Sequence, residues 1–89
     1  MNNEEMRAQL LELHAELQKP AALDPQQRGL LEALSVDIDQ LLQRDENQPH
    51  HYRGLSERLS EDLAELEASH PRITLMMRRA IDSLSGLGI

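Results

Sequence analysis

An 89-residue chain is one domain at most, and a domain of this size hides roughly 60–65% of its unfolded surface, so its core is thin. Tyr52 is the only aromatic residue, leaving 17 leucines to supply that core. The absence of cysteine excludes disulfides, cysteine-zinc sites and thiol nucleophiles, and a net charge of −7 argues against nucleic-acid backbones and anionic membranes as partners.

The first apolar stripe, Met6, Leu10, Leu13 and Leu17, spans about 60° of arc at about 100° per residue and predicts a helix over residues 3–18. Asn2 or Asn3 can cap it, Glu4 and Glu5 suit the positive end of its dipole, and Lys19-Pro20 ends it. Leu11 falls off the stripe, as a second contact or an exposed residue, and His14 flanks it as a half-buried packing residue. The second helix, 25–44, has the clearest start: Asp24 as cap, Pro25 in the first position and Gln27 completing a capping-box-like pattern. Its stripe of Leu30, Leu31, Leu34, Ile38, Leu41 and Leu42 is broad enough to touch two neighbours.

Residues 45–50 read as a polar loop. The third helix, 51–68, aligns Tyr52, Leu55, Leu59, Leu63 and Leu66 on one side and Glu57, Glu61 and Glu65 on the other. Ser69-His70-Pro71 breaks and restarts the chain, with Ser69 or His70 as cap. The fourth helix, 71–85, presents Ile73, Met76, Met77, Ala80, Ile81 and Leu84, and Gly86 reads as a left-handed stop with Leu87 folding back on Ile81. Gly88-Ile89 is a short tail.

The expected fold is an all-α, antiparallel bundle over residues 1–89, with three longer helices, one shorter C-terminal helix and coiled-coil-like packing. The narrow seams Met6-Leu10-Leu13-Leu17 and Leu55-Leu59-Leu63-Leu66 suit self-association, which predicts a homo-oligomer, a dimer before anything larger. Met1-Asn2-Asn3-Glu4-Glu5 is acidic where a secretory leader is basic, and no apolar run reaches the ~18 residues of a membrane span, so the expected location is cytoplasmic.

Chemistry-bearing patterns are sparse. Glu67-Ala68-Ser69-His70 is one copy of the Glu-x-x-His spacing that carboxylate-bridged metal bundles use twice. Glu67 and His70, with carboxylates of another helix or subunit, form the alternative reading of a metal- or ligand-binding bundle, while the main reading has no metal and no cofactor. No glycine-rich phosphate loop or nucleophile elbow is present, so the expectation is a non-enzymatic protein. Val36 to Arg44 resembles a stretch of the first helix of helical chorismate mutases, yet Lys19 is the only lysine for a dicarboxylate substrate, and an amphipathic leucine helix explains the match.

Charge is uneven: residues 1–70 carry 6 Lys and Arg against 15 Asp and Glu, whereas residues 71–89 carry 3 against 1. Arg72, Leu75 and Arg79 lie away from the fourth helix's apolar stripe and form the expected face for a protein partner, arginine being common at interface anchors. The bland alternative pairs Arg72, Arg78 and Arg79 with the acidic helices or with Asp82.

The order of features across the chain is more specific than any one of them. It runs from the opening Glu5 to Leu17 through Leu23-Asp24-Pro25 and Leu30 to Ile38. It continues with Leu63 to Glu67 and Ala68-Ser69-His70-Pro71-Arg72, and closes on Asp82 to Ile89. Over nearly its full length the chain resembles a small bacterial, all-helical family known only as a domain of unknown function (forty-four zero four in that naming series). The resemblance implies a compact bacterial helical protein, and it carries no activity, substrate or site residue with it.

Overall fold

The four apolar stripes become four helices in the computed structural model, which describes residues 3–20 and 23–87. They are α1 (Asn3–Leu17), α2 (Pro25–Gln43), α3 (Pro49–Leu66) and α4 (Pro71–Leu87), with no strand among the described residues. Each helix packs on two others, in the cycle α1, α2, α3, α4 and back to α1, while the diagonal pairs α1/α3 and α2/α4 stay apart. The Cα radius of gyration, 12.3 Å, matches the roughly 12 Å of a compact chain this long.

The leucine seams fill the centre of this cycle. Met6, Leu10 and Leu13 are fully buried and Leu17 is 5% exposed, and on α3 Leu55, Leu59 and Leu66 are fully buried. They share one core with Leu31, Leu34, Ile38 and Leu41 of α2 and Ile73, Met77, Ala80 and Leu84 of α4. Each large side chain buried in this way contributes about 1.5–3 kcal/mol. The seams expected to join copies are therefore closed within a single chain, with almost no apolar area left on them for a second one. Leu63 departs from its seam: it is half-buried at the edge of the core, and Tyr52 occupies the other end of the stripe.

Local chemistry sets the helix ends, and it corrects several boundaries. Asp24 caps α2 as expected, its Oδ1 accepting the Gln27 N–H at 2.7 Å, with Pro25 in the first turn. The Gln27 side chain does not close a capping box, because it donates instead to Ser69 Oγ at 2.9 Å beside the α3–α4 turn. At the far end of α2 the terminal carbonyls are met from outside the helix. Asn47 Nδ2 donates to the Leu41 carbonyl at 2.9 Å, and the Arg7 guanidinium donates to that of Leu42 at 2.7 Å.

The polar loop is shorter than expected because α3 starts at Pro49, not His51, and it ends at Leu66 rather than Ala68. The fixed φ of proline suits a first helical position. His51 completes the start: its N–H donates to the Gln48 carbonyl at 2.9 Å, and its Nδ1 accepts the Gln48 N–H at 2.9 Å. Only the neutral ring can accept that bond. Burial first, then Arg44 and His50 nearby, hold the His51 pKa below its ordinary value. The unfolded chain thus takes up this proton at higher pH than the folded one. The resulting stability is complete above the ordinary imidazole range and is lost as pH falls through it. His51→Gln keeps an acceptor but does not titrate. Thermal melts should show the wild type losing stability relative to this variant between about pH 7.5 and about pH 5.5, across that range. A pH-independent difference would mean that the ring does not cap α3.

α4 is not the short helix. It has 17 residues against 15 in α1, and it runs through Gly86 to Leu87. No described glycine has a positive φ, so Gly86 is an ordinary helical residue rather than a left-handed stop. Half-buried Leu87 packs against the core and extends the helix past the glycine. His70 precedes α4 and accepts the Thr74 N–H on its carbonyl at 3.1 Å. The cap expected at Asn2 and the tail Gly88-Ile89 lie outside the described residues.

Candidate interaction surface

Helical geometry puts Leu75 opposite the buried stripe of Ile73, Met77, Ala80 and Leu84, and it is 50% exposed. Arg72 and Arg79 flank it along the same outer face of α4. Arg72 reaches only loosely to α1, 3.5 Å from Glu16 Oε1, with 79% of its side chain exposed. Glu16 already accepts from Lys19 Nζ at 2.9 Å; that hydrogen bond, then the charge of Arg72, holds its carboxyl below the usual range. Arg78 is bound to Glu67, as the bland reading expected of all three arginines. Arg79 differs: among the described residues it makes no ion pair, and it lines a notch of about 240 Å³ with Gln9, Glu12 and Met76, between α1 and α4. The expected partner face is thus an apolar side chain framed by two exposed guanidiniums and bordered by a concavity.

The other exposed apolar residues, Leu11 on α1 and Val36 on α2, are 58% and 55% exposed. Val36 also edges an open cleft of about 380 Å³ between the end of α1 and α2, floored by Leu17 and Leu31, where Arg28 and Glu32 oppose each other in sign. This cleft was not foreseen from the sequence, since it depends on how the α1–α2 connection packs.

The opposite side of the bundle is acidic. Asp37 of α2 faces α3, where Arg58 Nε lies 2.7 Å from its Oδ2. Asp62 is partly buried beside this pair, and burial first, then Glu61, Asp37 and Glu65, push its carboxyl above the usual range. Glu65 Oε2 accepts from Gln26 Nε2 at 3.4 Å. Four carboxylates from two helices thus crowd one side, a convergence that spacing along α3 alone did not reveal.

The weak metal candidates are not brought together with further carboxylates. Glu67 is held by Arg78, while His70 Nε2 is buried with no hydrogen-bond partner among the described residues, and its backbone joins α3 to α4. Among the described residues no three or more His, Cys, Asp and Glu side chains are placed to share an ion. His50 and His51 are ring neighbours, with centroids 4.1 Å apart at the start of α3. No helix among the described residues is long and apolar enough to cross a membrane.

No curated protein and no solved structure matches the chain. The model of one family, described as Domain of unknown function (DUF4404), matches residues 6–89, which takes in all four helices from the first buried methionine onward. The chain belongs to that family.

Proposed function

We propose that the chain is a non-enzymatic, cytoplasmic helical module whose work is docking to protein, including other copies of itself, through the outer face of α4. One observation carries this reading: Leu75 is half-exposed between Arg72 and Arg79, and Arg79 makes no ion pair among the described residues. An exposed apolar side chain next to one loosely paired and one unpaired guanidinium suits a contact that buries the former and pairs the latter two. The core takes no part, because its leucines are spent on the fold.

A photo-reactive amino acid placed at position 75 tests the docking face, with position 11 as an equally exposed apolar control. In cells producing the protein, covalent adducts are expected from position 75 and not from position 11. They should be lost when Arg72 and Arg79 are both changed to Gln. Equal labelling at the two positions, or none at 75, overturns the reading.

A further inference from the structure

The turn between α2 and α3 is fastened to each helix by different chemistry. On the α2 side Asn47 holds it, its Nδ2 donating to the Leu41 carbonyl at 2.9 Å while its Oδ1 accepts from Arg44 Nη1 at 3.3 Å. An amide and a guanidinium keep the same charge at any physiological pH. On the α3 side the next residue, Gln48, is held through its N–H, which the His51 ring accepts at 2.9 Å. That fastening titrates. The groups whose charge acts on the ring are Arg44, the C-cap of α2, and His50, whose ring centroid lies 4.1 Å away. Among the described residues α1 and α4 supply none, and Asp45 and Glu46 of the turn make no ion pair with the ring. Tyr52 follows directly, with its side chain in the core and 9% exposed.

We infer that His51 is an acid-released latch: protonation of its ring frees the first turn of α3, Pro49 to Tyr52, and uncovers Tyr52 while the rest of the bundle stays folded. A protonated ring has no lone pair left for the Gln48 N–H. Its charge stands beside that of Arg44 and at the positive end of the α3 dipole, with no paired carboxylate to offset either. Two features confine the opening. Asn47 keeps its hold on α2, and from Leu55 onward α3 is anchored by fully buried side chains. Leu75 and Arg79 of α4 take no part, so the latch is separate from the docking face. The loss of stability in acid thus begins at one place, and it presents the only aromatic ring of the chain to water.

NMR on the full chain tests this, with Cα chemical shifts reading helix residue by residue between about pH 7.5 and about pH 5.5. The ratio of closed to open first turn, read at residues 49–52, should fall about 2- to 10-fold, the worth of one hydrogen bond. Residues 55–66 should keep helical shifts throughout, and the ultraviolet absorbance of Tyr52 should move toward that of a ring in water. His51→Gln keeps an acceptor that does not titrate, so its first turn should stay closed over the whole range. His14→Gln should open as the wild type does. Circular dichroism at about pH 7.5 should find both variants as helical as the wild type. Residues 49–52 that remain fully helical in acid, helix lost evenly along α3, or a His51→Gln chain that opens like the wild type would each overturn the latch.

Discussion

Leu59→Asp is expected to leave the chain unfolded at room temperature. Leu59 sits at the middle of α3 with 0% exposure, in contact with the shared core. The substitution removes about 1.5–3 kcal/mol of apolar burial and adds the cost of a carboxylate without solvent, commonly several kcal/mol. A domain of this length has only about 4–13 kcal/mol of stability in total. Far-UV circular dichroism should report loss of helix, while Leu59→Met, which keeps the volume and polarity, should cost less than about 1.5 kcal/mol in urea titration. A native-like cooperative melt in the Asp variant would mean that α3 does not turn this residue inward. Arg79→Glu, on the outer face of α4, should leave the helical signal unchanged, which separates the fold from the docking surface.

The next largest effect is expected from Ala80→Leu. Ala80 is fully buried on α4, between Met77 and Leu84, which are also fully buried. Its side chain is small and closed off from solvent, so three added carbons must displace packed neighbours. Overpacking of this kind costs about 1–3 kcal/mol. For a domain of this size the melting temperature should fall by roughly 4–8 °C for each kcal/mol lost, read by thermal denaturation. An unchanged melting temperature would mean that α4 can move outward freely, and that its interfaces with α1 and α3 are looser than the burial of Met77 and Leu84 implies.

Much of this fold is legible in the sequence because its determinants are local. The spacing of Met6, Leu10, Leu13 and Leu17 sets which side of α1 is buried, and Asp24-Pro25 marks the start of α2. The same spacing does not say whether a leucine seam closes on its own chain or on another copy, since both need the same period; the homo-oligomer expectation at those seams came from that ambiguity. Gly86 misled for a related reason. Glycine permits a left-handed stop but does not impose one, and the packing of Leu87 on the core decides the matter. Long polar side chains escape periodicity altogether. Arg7 reaching the Leu42 carbonyl and Gln27 reaching Ser69 join positions 35 and 42 residues apart. At the candidate surface, the outward direction of Leu75 follows from its angle on the helix. That Arg78 pairs with Glu67 while Arg79 makes no ion pair among the described residues follows only from the placement of α3 beside α4.

The closing of the four-helix cycle bears on how the chain reaches this structure. Three of its four interfaces join helices that follow one another directly, and such contacts form after the closure of short loops. The fourth joins α1 to α4, where Gln9 and Ser83 bond across 74 residues. Closure entropy rises with the logarithm of loop length, so this contact in isolation is the costliest to make, and it becomes cheap once the intervening helices have docked. The low contact order of the first three interfaces favours rapid folding, and the α1–α4 seam is expected to be the last to form.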